Sequence, residues 1–324
     1  PTIEAALTAI QARQALNLPG QRIKERYQIE NTLGAGLLGT VLKATDIESG
    51  QTIAVKMFSP SLSQETLSRF ARQVPQLKNM SHAGIARIVD WNSESDNYFV
   101  VEEFVCSQSL HEFLESGHVP FSHDQTLEFI LALNEALAYA HRHGVIHGHL
   151  TPRNIYLTAG GFKLSGFGQG RLLEGRNLLE APFLHLTAAY LAPEQILGQP
   201  LDARTDLYAM GVVLYQLFTG QLPFAGSNRE IMEAHLLQAP TPPRKINPEI
   251  SLAIEHSILK LLAKNPNDRY ASADQAHRVV SGSAGQAIIN AQDQLLVERD
   301  QALVSIERCW AEAKSGRGQL LLIS

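Results

Sequence analysis

Cysteine is nearly absent: Cys106 and Cys309 are the only two, and they stand far apart in the chain. That excludes a disulfide framework and a cysteine-based zinc site, and it reads as a reduced, cytoplasmic setting. Long apolar runs are missing as well, none reaching the ~18 residues that a membrane-spanning helix needs. No signal-peptide pattern opens the chain, which begins at Pro1 without a Met and so reads as a piece of a longer protein. Positive charge is not in excess. With 27 Lys and Arg against 32 Asp and Glu the formal charge is -5, so nothing electrostatic favours nucleic acid or an anionic membrane as partner. What the chain does have is apolar mass. Of its 324 residues 44% are hydrophobic and 18% charged, enough for one large two-lobed domain or a domain with added pieces.

At the start of the chain, Ile3, Ala6, Leu7 and Ile10 fall at helical spacing before Leu18-Pro19-Gly20 breaks the pattern, which predicts a packing helix. From Tyr27 the period changes to strands. Leu33-Gly34-Ala35-Gly36-Leu37-Leu38-Gly39-Thr40-Val41 spaces its glycines so that a hairpin backbone can lie over phosphates and donate N–H bonds to them. A dinucleotide-binding turn shares this spacing but wants a helix next and an acidic residue about 20 positions on. Here a second strand follows over Thr40–Ala44, then a turn at Glu48-Ser49-Gly50, then Ile53-Ala54-Val55-Lys56. A helix is expected over Gln64–Lys78, kinked or shortened by Pro75, because proline inside a helix costs ~3 kcal/mol. Ile85–Asp90 and Tyr98–Val105 read as further strands. A short helix is expected around Leu110–Leu114. Ser122 with Gln125 reads as a capping box opening a long helix, with Leu127, Ile130, Leu131 and Leu137 on one face, that ends at His143-Gly144. His141 and His143 fit the C-terminal end of that helix as dipole complements, and no metal-ligand spacing surrounds them.

The stretch Ile146-His147-Gly148-His149-Leu150-Thr151-Pro152-Arg153-Asn154-Ile155-Tyr156-Leu157 comes next, followed by Phe162-Lys163-Leu164-Ser165-Gly166-Phe167-Gly168. Further on stand Tyr190-Leu191-Ala192-Pro193-Glu194, preceded by Thr187, then Asp206–Val212, and Asn265-Pro266-Asn267-Asp268-Arg269-Tyr270. In this order the motifs resemble the eukaryotic-type protein kinases over residues 27–282, and the wording of Tyr190–Gln195 and Pro266–Tyr270 is similar to bacterial Ser/Thr kinases. The resemblance implies an α+β bilobal fold with a small β-rich N-lobe over residues 27–105 and a larger helical C-lobe over 106–282. A helical extension would occupy 1–26, and 283–324 would be a linker and the beginning of another domain.

By that resemblance Leu33, Gly34, Gly36, Gly39, Val41 and Ala54 would line a nucleotide site, and Lys56 would hold the α- and β-phosphates and pair with a helix glutamate. Glu102, Glu103 and Val105 would form the back of the pocket and its hinge. Asp206 would cap the catalytic-loop backbone, and Arg269 would pair with Glu194. The reaction centre departs from the family. Gln73 stands at the helix glutamate, His149 at the catalytic aspartate, Thr151 at the following lysine and Gly166 at the aspartate that binds Mg²⁺; Asn154 is kept. Glycine has no side chain with which to coordinate a hard cation, which needs oxygen ligands. Imidazole can accept a proton, with an ordinary pKa near 6.5, but is larger than a carboxylate and places its nitrogen elsewhere. Lys56, deprived of its helix partner, is expected to pair with Glu102 and close the pocket from inside; a one-residue register shift would instead turn Glu102 outward.

These departures read as a catalytically impaired kinase fold, a pseudokinase serving as a regulatory or binding module of a multidomain signalling protein. Two alternatives stand beside it: a working Ser/Thr kinase that uses His149, and a nucleotide sensor that holds ATP through Gly34–Gly39 and Lys56 without transferring phosphate. ATP remains a candidate ligand, Mg²⁺ is not expected, and no metal site is assigned. The tail, with Leu295-Leu296-Val297-Glu298-Arg299-Asp300 and Arg317-Gly318-Gln319-Leu320-Leu321-Leu322-Ile323-Ser324, is similar to the opening segment of STAND-type P-loop ATPases, short of their phosphate loop. The expected partner is another protein or the chain's own downstream ATPase domain, with neither nucleic acid nor membrane involved.

Overall fold

The computed structural model describes residues 19–36, 38–59, 62–92, 98–116, 123–174, 178, 188–279 and 281–282. The chain divides into two units, Pro1–His277 and Arg278–Ser324, and almost all of the described residues belong to the first. The helix expected before Leu18, Thr187, Ser122 and the tail from residue 283 lie outside them.

The first half of this unit is a six-stranded antiparallel sheet. Its strands are β1 (Arg22–Ile23), β2 (Tyr27–Gly36), β3 (Gly39–Asp46), β4 (Thr52–Phe58), β5 (Ile88–Asn92) and β6 (Phe99–Glu103), in the order β1-β2-β3-β4-β6-β5. β1 falls within the stretch expected to be a helical extension: it pairs with β2 through a tight turn in which Lys24 and Glu25 both take positive φ. Alternation decides which residues enter the core. Ile29, Leu42, Ala44, Ile53, Val55, Phe99 and Val101 pack on one face around Tyr27. The other faces of β4 and β6 carry Ala54 and Lys56, and Val100 and Glu102, toward the rest of the molecule.

One helix, α1 (Gln64–Lys78), crosses beside the sheet. Ser63 caps it by accepting from the Thr66 N–H at 3.2 Å. The expected break at Pro75 does not occur, and the helix continues to Lys78. Pro75 lies in the last turn, where only one interior bond is lost, and the Asn79 N–H closes the end on the Pro75 and Gln76 carbonyls. The strand expected from Ile85 starts at Ile88, because Ile85 bridges Leu164 and the Ala86 N–H donates to the Leu164 carbonyl at 2.7 Å instead.

The second half is helical. α2 (Leu110–Glu115) carries a capping box between Ser109 and Glu112, and α3 (His123–Arg142) buries Phe129, Ile130, Leu133 and Leu137. A two-stranded ribbon, β7 (Ile155–Thr158) and β8 (Gly161–Leu164), follows. Then come α4 (Pro193–Ile196), α5 (Ala203–Thr219), α6 (Asn228–Leu237), α7 (Pro243–Ile246) and α8 (Leu252–Leu261). α5 is the axis of this half, with Leu207, Tyr208, Met210, Val212, Val213 and Tyr215 all at most 1% exposed. Packing on every side lets so apolar a helix form, and its buried carboxylate Asp206 faces the loop between α3 and β7. Among the described residues no helix is long and apolar enough to cross a membrane.

Candidate functional site

The site lies where the sheet, the loop Ile146–Asn154 and the segment after β8 meet. Strand register sets its upper wall. Lys56 lies opposite Val100 and Ala54 opposite Glu102, so Lys56 and Glu102 share a face as diagonal neighbours. Such neighbours have Cα atoms roughly 7–8 Å apart, within reach of a side chain as long as lysine's. Glu102 is 7% exposed and turned inward, so the outward register does not apply. The expected ion pair between Lys56 and Glu102 is nevertheless not made. The Lys56 ammonium donates to the Gln169 carboxamide oxygen, and the Gln169 amide N–H points to Glu102 Oε1 at 3.5 Å. Gln169 is 1% exposed and bridges the two charges. The Gly166 N–H supplies Glu102 Oε2 with a second long contact at 3.3 Å.

Burial governs the charges here. It pulls the Lys56 ammonium down to about 8, against the opposing pull of the Glu102 charge. It pushes the Glu102 carboxyl up, partly offset by Lys56, the Gly166 N–H and Gln169.

Gln73, at the position of the helix glutamate, makes no hydrogen bond to Lys56. Its side chain is buried, and its Oε1 has no hydrogen-bond partner. That oxygen instead faces Gly168, 3.1 Å from where a Cβ would stand. The cause is the segment after β8. It coils into a 3₁₀ turn over Gln169–Leu172 that packs against α1 and places Gln169 on Lys56.

The loop below is fixed from α5. Asp206 accepts from the His147 N–H at 2.8 Å and the Gly148 N–H at 2.6 Å, and it contacts the His141 ring at 2.8 Å. His141 is therefore engaged by a carboxylate rather than by the helix terminus, while the His143 ring lies 2.8 Å from the Tyr139 carbonyl. His149 and Asn154 are brought together: the Asn154 amide donates to the His149 carbonyl at 2.6 Å and lies 3.3 Å from its Nδ1. Burial, with the Lys56 and His147 charges adding to it, holds the His149 imidazole down to about 3, so the ring is neutral at ordinary pH. Thr151 is 4% exposed, and its carbonyl accepts from the Asn154 N–H at 3.0 Å.

Arg269, whose side chain is 0% exposed, donates to both Glu194 oxygens at 2.7 and 2.8 Å. It also donates to the carbonyls of Ala263, Arg204 and Lys264, and Glu194 accepts from the Thr205 hydroxyl at 2.9 Å. Gln195 ties this region to the loop by donating to the Gly148 carbonyl at 2.7 Å.

The glycine hairpin pairs Gly34 with Val41 and Gly36 with Gly39, and Leu33 is 46% exposed. At the hinge the Glu103 N–H donates to the Arg87 carbonyl at 2.8 Å, and its side chain pairs with Lys163. Val105 follows it, accepting from the Ser107 N–H at 2.9 Å.

The donor set does not fit a divalent cation. Gly166 contributes no side-chain oxygen, and of the two positions the family uses for the ion only the Asn154 amide offers one. Hard cations of this kind want roughly six oxygens, carboxylate among them. Among the described residues no group of three or more acidic, His or Cys side chains could hold a metal ion.

Gln169 and Tyr156 escape a reading of the sequence. Gln169 lies 113 positions from Lys56, and no motif marks it. Tyr156 sits on β7 beneath Glu102, where burial and the Glu102 charge raise its hydroxyl pKa against a hydrogen bond to Ser165.

Comparison with known proteins agrees with this architecture. The protein kinase domain family matches residues 27–280. The chain therefore belongs to the protein kinase family, within its bacterial Ser/Thr branch. It is 32% identical over 261 residues to the serine/threonine-protein kinase PrkC of Bacillus subtilis, a match that covers 79% of this chain and 40% of PrkC. It is 34% identical over 270 residues to the serine/threonine-protein kinase pkn3 of Myxococcus xanthus, covering 79% and 49%. The chain thus spans less than half the length of these relatives. The crystal structure of the Mycobacterium tuberculosis PknI kinase domain superposes with a TM-score of 0.65 at 22% identity, covering 82% of this chain and 98% of that domain. The fold is that of the protein kinases, a curled N-lobe sheet on a helical C-lobe.

Proposed function

We propose that this chain is a kinase-fold module impaired in phosphoryl transfer, which acts as a regulatory or binding element of a longer signalling protein. One observation carries the reading: at Gly166 there is no side-chain carboxylate for a metal ion, and the neighbouring Gln169 amide occupies Lys56. Phosphoryl transfer depends on positioning and on neutralising charge around the phosphates, so losing the metal-bridging carboxylate removes a main source of both. His149 cannot repair this, because a neutral imidazole beside Lys56 accepts a proton poorly when its pKa is held near 3. The scaffold bonds from Asp206 and between Glu194 and Arg269 are complete, which is what a binding module needs.

Transfer of labelled phosphate from ATP to the chain itself and to a generic Ser/Thr substrate tests the proposal, with Lys56→Met as control. Transfer at the control's level supports it; transfer that Lys56→Met abolishes overturns it in favour of a working kinase, the activity named for PrkC and pkn3. The sensor reading, ATP held without transfer, draws support from the retained glycine hairpin and Lys56. The likeness of Leu295–Asp300 and Arg317–Ser324 to STAND-type P-loop ATPases makes a downstream ATPase domain of the same protein the proposed partner.

A further inference from the structure

We propose that Lys264 is a nucleophilic amine built into the helical half, a site that takes an acyl group from a small acyl phosphate, and that a hydrogen-bond relay through Tyr208 and His235 carries its acylation to the turn Ala188–Tyr190. The inference goes beyond the function proposed above and holds whether or not the cleft takes a nucleotide.

Lys264 follows α8 and is half-buried. Its carbonyl accepts from Arg269 at 3.1 Å, which fixes its backbone. Its ammonium stands 4.5 Å from the centre of the Phe224 ring and 5.8 Å from that of Tyr208. It donates to the Ala234 carbonyl at 3.2 Å and to the Tyr208 hydroxyl at 3.4 Å. Among the described residues no carboxylate pairs with it: Glu194, the acid of this region, is held by Arg269, whose guanidinium lies 4.7 Å from the centre of the same Tyr208 ring. A lysine among aromatic rings, beside a second cation and without a counter-ion, is an activated amine. Burial, with the Arg269 charge adding to it, holds the Lys264 ammonium down to about 8. The free amine attacks the acyl carbon, the new C–N bond replaces the C–O bond to phosphate, inorganic phosphate leaves, and the surplus amine proton goes to water.

The relay fixes what the amine is connected to. His235 of α6 is 0% exposed, with Nε2 3.0 Å from the Ala189 carbonyl and Nδ1 2.8 Å from the Tyr208 hydroxyl of α5. A carbonyl only accepts, so Nε2 carries the hydrogen and Nδ1 accepts from Tyr208, whose oxygen accepts from Lys264. The far end of the relay is a packed junction: Ala188 and Leu191 lie against Ile196 and Met232. Acylation leaves Lys264 one N–H in place of three and no charge. It must give up Tyr208 or Ala234, and the cation leaves the two ring faces. His235 at the same time loses the neighbouring charge that helps keep its ring neutral.

Acetyl phosphate is the probe. The full wild-type chain is incubated with it between pH 6.5 and 10, with Nα-acetyllysine as the reference amine, and acetylation of Lys264 is followed by peptide mass spectrometry. A free lysine titrates near 10.4, so at pH 7.5 Lys264 has roughly 100-fold more free amine; lower basicity gives part of this back, and the rate should exceed the reference by about tenfold. It should level off above pH 8 while the reference keeps climbing. Acetylation no faster than the reference, or a rate that climbs with it past pH 9, overturns the nucleophile. Hydrogen exchange reads the relay. The peptide carrying Ala188–Leu191 should exchange at least about threefold faster in Lys264→Gln and in the acetylated wild type, but not in Lys264→Arg, which keeps the cation. Unchanged exchange in the acetylated wild type, or an equal rise in Lys264→Arg, overturns the relay.

Discussion

Arg269 gives the most calculable test of the scaffold. Arg269→Met leaves the Glu194 carboxylate, 4% exposed, with the Thr205 hydroxyl as its remaining side-chain donor, and strips a donor from three backbone carbonyls. Removing one member of a buried ion pair costs about 3–5 kcal/mol, because the other charge stays in the interior uncompensated. For a domain of this size that lowers the melting temperature by roughly 6–20 °C. Glu194→Gln keeps one acceptor for the guanidinium and should cost less, about 2–3 kcal/mol. The double variant has neither charge, so its cost should fall short of the sum of the singles by at least about 1.5 kcal/mol. Urea unfolding of the four proteins, followed by far-UV circular dichroism, measures all three. A single Arg269→Met within about 1 kcal/mol of wild type, or strict additivity, would refute the reasoning.

Three further outcomes follow from particular residues. Asp206→Asn weakens the bonds to the His147 and Gly148 N–H groups from charged to neutral and should cost about 1–3 kcal/mol in the same unfolding assay. Glu25→Gly should stabilise by about 0.5–1 kcal/mol, since Lys24 and Glu25 hold φ of +50 and +53 in a turn that favours glycine; a loss of stability would contradict this. His235 is 0% exposed, and burial, helped by the Lys264 charge, holds its imidazole down to about 3. The unfolded chain binds that proton near pH 6.5, so stability is full above that pH and falls as pH drops toward 3, by at most about 1.4 kcal/mol per pH unit from this group. His235→Asn should lose one proton's worth of that slope, read from unfolding free energies between pH 7 and 4.5.

Much of the architecture was legible because its signals are local. Glycines spaced for a hairpin, an alternating strand ending at Lys56, and Asp206 opening an apolar helix each act within a few residues of themselves. The register that turns Glu102 inward could also be read, since alternation fixes it once the strand is placed. What failed was long-range or positional. Pro75 looked disruptive because interior proline is, but its cost falls in the last turn, where the helix bonds are already running out. Lys56 and Glu102 looked like partners because they share a face. They are diagonal neighbours within reach of each other, but Gln169, which arrives from beyond β8, bonds Lys56 and faces Glu102 in their place. Gly148 and Gly170 each look ordinary in sequence, and only their backbone crossing, where a Cβ on Gly148 would come within 2.8 Å of the Gly170 Cα, shows why neither carries a side chain.

The proposed impairment requires that the cleft fail to hold a divalent ion against a triphosphate, since Gly166 brings no carboxylate. Calorimetric titration of the chain with ATP, run with and without Mg²⁺, measures this directly. The affinity should be the same in both, whether weak or absent. A binding constant that Mg²⁺ tightens by about tenfold or more, some 1.4 kcal/mol, would contradict it.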